Sequence, residues 1–175
     1  KAAQCADIEE RLAYSLEKLG DKLPAAEAYR TRWQRQPNPT GREFGVKACL
    51  LFSQAGTPGV TKESELAEEM FDKLPKDEFA RHIGLRSYAQ WRRIRQWAKA
   101  SVVGNKLLKS GLLKDAEERR EVLRTMAENY RYLGQHSNAV EVLKQARAIR
   151  DDQYTLYYHI QALYDSAAPA AQLEP

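Results

Sequence analysis

Apolar residues recur at three- and four-residue steps along almost the whole of this chain, and no segment alternates with the period of two that a half-buried strand requires. That property restricts the fold to helices packed on helices. Glycines and prolines punctuate the pattern, and helices are expected at residues 6–20, 25–36, 42–55, 62–74, 78–84, 88–109, 116–133, 138–150 and 153–166. Ser87 with Gln90, and Asp115 with Glu118, have the spacing in which a first side chain caps backbone N–H groups and a later one reaches back. Gly20, Gly56 and Gly134 stand where helices stop. With 175 residues, 43% of them hydrophobic, the chain can bury a core of its own. Residues 1–166 are expected to form one domain, and the tail 167–175, "AAPAAQLEP", offers too little to bury and is expected to be disordered.

The stretch from Ala127 to Ala146 reads as a helical hairpin. Ala127, Tyr130 and Leu133 share one face of its first helix, Gly134 permits the reversal, and Ala139, Leu143 and Ala146 share one face of its second. Alanines let two backbones approach, and the larger residues fill what remains. This arrangement resembles the tetratricopeptide repeat, a pattern of about 34 residues with large, small and aromatic side chains at set places. Leu123, Met126, Ala127, Tyr130, Ala139 and Leu143 occupy those places in order, with Asp151 where proline is usual. A second copy opens the chain: Leu12, Ala13, Leu16, Gly20, Ala25, Tyr29 and Pro37 fall at the same spacings, with Glu9 and Arg32 as departures. A third, degenerate copy has Ala48, Cys49, Phe52, Ala55 and Gly56 in its first helix, and Ala67, Phe71 and Leu74 in a second helix reached after about six inserted residues. Residues 75–115 keep the helical period and lose the repeat.

The resemblance implies an all-α fold, a right-handed superhelix of antiparallel hairpins with a divergent middle and a C-terminal capping helix, acting as an interaction module rather than a catalyst. It also implies that a peptide or partner helix is bound in a concave groove lined by the first helices. The residues expected there are Asp7, Glu10, Tyr14 and Glu17, then Glu43, Val46, Leu50 and Ser53, then Glu121, Arg124, Glu128 and Arg131. Chaperone-binding members of the family clamp a terminal carboxylate with basic and amide side chains at such positions. Acids stand there in the first copy, so that clamp is rejected in favour of a groove that starts acidic and becomes mixed. The bland reading of each charge is a solvated face.

A net charge of +4 hides a segregation, because residues 79–114 hold nine Lys or Arg and no Asp or Glu. Taken as one helix over 88–109, this region gathers Arg92, Arg95, Lys99 and Lys106 into a stripe beside Tyr88, with Ile94, Trp97 and Leu108 turned toward the core. A cationic ridge of that kind suits nucleic-acid phosphates, anionic lipid, an acidic neighbour or a second copy of the chain. Nucleic acid is the alternative partner to a protein or peptide, and homo-oligomerisation stays open.

Catalytic signatures are missing from the pattern. His82, His136 and His159 are far apart and form no paired-histidine motif, and neither a phosphate-cradling GxxxxGK nor a GxSxG elbow occurs, so no cofactor or metal is expected. Cys5 and Cys49 are too few for a metal site or a disulfide framework; both are expected as free thiols, Cys49 buried where the other copies have Ala13 and Ala127, with a bridge between them the alternative in an exported protein. No apolar run is long enough to span a membrane. Lys1 in place of Met suggests a processed or excised segment, which leaves the compartment open between cytoplasm and export.

Overall fold

The computed structural model describes residues 2–167, with side chains from Ile8 onward. The described residues form nine α-helices and no strand. They fall into two compact units that meet at Ile94 and Arg95. The first holds α1 (Ala2–Leu19), α2 (Lys22–Arg35), α3 (Arg42–Gln54), α4 (Thr57–Lys73) and α5 (Glu78–Arg93). The second holds α6 (Trp97–Lys109), α7 (Ala116–Tyr132), α8 (His136–Ile149) and α9 (Gln153–Ala167). Within each unit every helix packs on the one before it. The expected tail lies outside the described residues, apart from Ala167 at the end of α9.

Two of the three expected repeats end their first helix with the same device. Gly20 and Gly134 adopt left-handed φ of 83° and 68°, a region that costs any residue with a Cβ. In each turn the residue after the glycine donates to a carbonyl five residues back, Asp21 to Leu16 at 3.0 Å and Gln135 to Tyr130 at 2.8 Å. This closes the helix and reverses the chain within two residues. Ala13, Ala25, Ala127 and Ala139, the small places of the pattern, are buried at the hairpin contacts, where Tyr29 and Leu143 fill the space between helices.

Three local expectations are corrected. Residues 57–61, expected to precede the helix at 62–74, are the first turns of α4, which begins directly after Gly56 with Pro58 in its opening turn. Gly59 makes that possible: a Cβ there would lie 2.0 Å from the carbonyl oxygen of Phe52, so only glycine lets α4 start this close to the end of α3. Ser87 caps nothing. It sits inside α5, fully buried, and its Oγ donates to the carbonyl of Ser64 at 3.1 Å. The helix there is continuous over 78–93, and Ala80, Ile83, Gly84, Ser87 and Trp91 belong to its buried face. The true cap of α5 is Asp77, which accepts from the N–H of Ala80 at 2.9 Å. Asp115 caps α7 as expected, accepting from Glu118 N–H at 2.7 Å.

The third correction concerns the helix expected over 88–109. It is two helices, α5 and α6, interrupted at Ile94 to Gln96, where Arg95 turns left-handed with φ of 58°. No Gly, Asn or Pro marks this break, which is why periodicity ran through it.

Both units carry a buried ionic group. Glu63 of α4 is fully buried and takes Arg86 Nε at 2.6 Å and Gln90 Nε2 at 3.3 Å, which joins α4 to α5. Arg120 of α7, 3% exposed, pairs with Asp152 and donates to Thr155 Oγ1 at 2.9 Å, which ties α7 to the start of α9.

Candidate binding surfaces

In the first unit most of the described groove residues expected on α1 and α3 are exposed. Glu10 and Glu17 face solvent, as does Tyr14 at 53%; Asp7 belongs to α1, but its side chain lies outside the described residues. Glu17 has a structural task as well. It accepts from the buried Tyr29 hydroxyl at 2.9 Å, and burial together with this carboxylate pushes the Tyr29 phenol up to about 12. On α3, Glu43, Val46 and Leu50 are exposed, and Ser53 turns its hydroxyl back onto the Leu50 carbonyl at 2.7 Å. This surface is therefore mixed, with Lys18 over the Tyr14 ring at 5.2 Å and Lys47 over the Tyr29 ring at 5.2 Å among its acids.

The second unit concentrates the remaining expected residues. Glu121, Arg124, Glu128 and Arg131 follow one face of α7, and tyrosines of α9 reach two of them, Arg124 and Arg131. Glu121 pairs with Arg124 at 2.8 Å, and Arg124 sits over the Tyr154 ring at 4.3 Å. Arg131 sits over Tyr158 at 5.6 Å. Beside them a cavity of about 300 Å³ is lined by Glu128, Arg131, Tyr132, His136, Tyr158 and Asp165. Asp165 Oδ2 lies 3.8 Å from both Arg131 Nε and His136 Nδ1. That is ion-pair range but beyond a hydrogen bond, so both buried nitrogens are left without a hydrogen-bond partner. Tyr132, 67% exposed, stacks on Trp97 with centroids 4.5 Å apart. A hydrogen bond with Tyr154 raises the Tyr158 hydroxyl above its ordinary value.

Arg124, Glu128 and Arg131 were legible in the sequence; His136, Tyr158 and Asp165 were not. The sequence offers His136 only as an isolated histidine and α9 as a capping helix. Tyr154 and Tyr158 stand four apart on one face of α9, a spacing that does not say which helix they meet. Trp97, expected in the core, is instead half-buried against exposed Tyr132.

The basic stripe is corrected by the break at Arg95. Tyr88 and Arg92 belong to α5, where Tyr88 is buried at 5% exposure beneath the Arg92 guanidinium, 5.9 Å from its ring. Arg95 lies in the link, and Lys99 and Lys106 belong to α6, Lys99 exposed and Lys106 half-buried. The single amphipathic helix behind the nucleic-acid expectation does not exist.

Cys49 is a free thiol, 3% exposed, pushed up to about 12 by burial. Cys5 lies outside the described side chains. Among the described residues no three His, Cys, Asp or Glu converge as a metal site, and no helix is long and apolar enough to cross a membrane.

No protein-family model matches the chain, and no curated protein matches it in sequence. Solved structures do. One, described as a Podosopora anserina kinesin light chain with nearly identical TPR-like repeats, superposes with a TM-score of 0.56 at 15% identity, covering 91% of this chain and 86% of that one. A point variant of the same protein gives the same score and identity, covering 91% and 85%. The MamA protein aligns over 99% of this chain and 97% of its own at 14% identity, with a TM-score of 0.47. At such identities the likeness concerns fold alone, and the fold of this chain is that of the TPR-like helical repeat proteins.

Proposed function

We propose that this chain is a non-catalytic protein-interaction scaffold that binds a peptide or partner helix along the first helices of its hairpins. The observation that supports this reading best is the cavity between α7 and α9. Arg131 Nε and His136 Nδ1 are buried there without hydrogen-bond partners, next to exposed Tyr132 and the Glu128 carboxylate. Orphaned polar nitrogens beside an aromatic platform suit the polar and aromatic contacts of a protein interface. On this reading Arg124, Glu128 and Arg131 orient the partner on the second unit, while Tyr14 and Leu50, flanked by Glu10, Glu17 and Glu43, offer an aromatic and aliphatic surface on the first.

Selection of peptides from a displayed random library against the purified chain tests this. Selected peptides are expected to bind at least about tenfold more weakly to Glu128→Lys or Arg131→Glu, one tenfold step being about 1.4 kcal/mol. They should bind equally well to the Lys99→Ala, Lys106→Ala double variant. If no peptide is enriched, and an oligonucleotide binds with steep salt dependence that the double variant abolishes, the scaffold reading fails in favour of phosphate recognition.

A further inference from the structure

The hydrogen-bonding groups of the cavity between α7 and α9 restrict what it can hold. Arg131 Nε and His136 Nδ1 are buried without a hydrogen-bond partner, and Asp165 Oδ2 lies 3.8 Å from each. An N–H···O hydrogen bond needs about 2.7–3.2 Å, so this carboxylate satisfies neither nitrogen. Arg131 Nε carries a proton and only donates, an ionised carboxylate only accepts, and a histidine nitrogen does either according to its tautomer. The cavity therefore sets a fixed donor beside a fixed acceptor that do not satisfy each other. Leaving a buried polar group unpaired costs about 1–3 kcal/mol, which an occupant that pairs with it recovers.

Size and charge narrow the occupant. One water takes up about 30 Å³, so a cavity of about 300 Å³ is far larger than a bridging water requires. A cationic side chain would suit Asp165 and Glu128 but would bring no acceptor to Arg131 Nε. An anionic one would suit Arg131 but would meet the carboxylates of Glu128 and Asp165, which line the same cavity. An apolar one would leave donor and acceptor as they are. A primary carboxamide carries a carbonyl that accepts and an NH2 that donates, side by side and without net charge. The rings of Tyr132 and Tyr158 complete the lining and suit its aliphatic stem.

We infer that this cavity recognises the side-chain carboxamide of an Asn or Gln in the partner, whose carbonyl accepts from Arg131 Nε–H and whose NH2 donates to Asp165 Oδ2. His136 Nδ1 supplies a further contact in whichever role its tautomer gives it. The inference rests on the reading of the cavity as a peptide site and adds the residue type that the site selects. A peptide backbone amide has the same donor and acceptor, so the probes below all carry the same backbone amides and differ only in side chain.

NMR titration of the full 175-residue chain with the N-acetyl, N-methylamide derivatives of Gln, Asn, Glu, Lys and Met tests this. The Gln or Asn derivative is expected to shift the backbone signals of Tyr132 and His136 and to bind at least about tenfold tighter than the other three. Asp165→Asn keeps the shape of the side chain and lets it donate, so the order should invert, with the Glu derivative binding at least about tenfold tighter than the Gln one. A misfolded variant cannot produce that gain. Equal binding of all five would assign the cavity to backbone amides, and tightest binding of the Lys derivative would make it a cation site; either result overturns the inference. So does an Asp165→Asn variant that still prefers Gln, or a cavity that responds to no derivative. The peptide-site reading fails separately. Library-selected peptides that need Arg131 but share no Asn or Gln would uphold the scaffold and overturn the carboxamide, whereas carboxamide binding with no peptide enriched would do the reverse.

Discussion

Cys49 shows how a single position can carry both a packing and a titration consequence. Its thiol fills the place taken by Ala13 and Ala127 in the other hairpins, and burial raises it to about 12 from an ordinary value of 9.0. The folded state therefore holds this proton where the unfolded chain releases it, so stability is complete below about pH 9 and declines as pH rises toward 12. Tyr29, raised from 10.0 to about 12, adds to the decline in the upper part of the same window. Thermal melts of Cys49→Ala should accordingly fall less steeply above pH 9 than those of the parent, and a thiol reagent at pH 8 should label Cys49 only after denaturant is added. Arg95 gives a second test. A residue with a Cβ held left-handed bears about 1–2 kcal/mol of strain, against which glycine loses more freedom on folding, so Arg95→Gly is expected to be neutral or to stabilise by up to about 1 kcal/mol in denaturant titration. The buried thiol could be read from the repeat register, since a small apolar place predicts burial. The left-handed arginine could not, because nothing in "RRIRQW" distinguishes a helix that continues from one that breaks.

Among the elements, α4 and α5 depart most from what periodicity suggested, and small residues account for both departures. Gly59 and Ser87 resemble a loop glycine and a helix cap; in three dimensions they are the points where one helix meets another. Gly59→Ala should destabilise the chain by about 1–3 kcal/mol, because its new methyl group meets backbone that cannot swing aside. An exposed glycine-to-alanine change inside a helix would normally stabilise by up to about 1 kcal/mol, so the sign of the measured change decides between contact and loop. α7 and α9 depend on charge as well as shape. Arg120 is almost entirely buried, and its ion pair with Asp152 and hydrogen bond to Thr155 are what its guanidinium receives in place of water. Arg120→Ala removes packing and one partner of Asp152, which stays partly exposed and keeps Arg150 at 3.7 Å, and should cost about 1–3 kcal/mol in chemical denaturation. Replacement by Met, which keeps the volume, should cost less.

The whole molecule divides where its sequence is most basic. Both arginines that border the break, Arg93 and Arg95, are exposed, and the residues between α5 and α6 make no regular helical turn. Limited trypsin digestion should therefore nick the native chain first at this link and leave two helical fragments; first cleavage within α7 or α8 would contradict it. The helical class and the three hairpins were legible because a period near 3.6, small residues at hairpin contacts and glycine at reversals are local requirements, and each leaves its mark within a few residues of chain. That Arg124, Glu128 and Arg131 share one face of α7 was legible for the same reason, since they follow a single helical register. Tertiary structure alone decided that α9 brings Tyr158 and Asp165 onto that face and that the basic run splits between two units. Each of these depends on which helix lies against which, and that choice is made by contacts between residues far apart in the chain, where local pattern has no say.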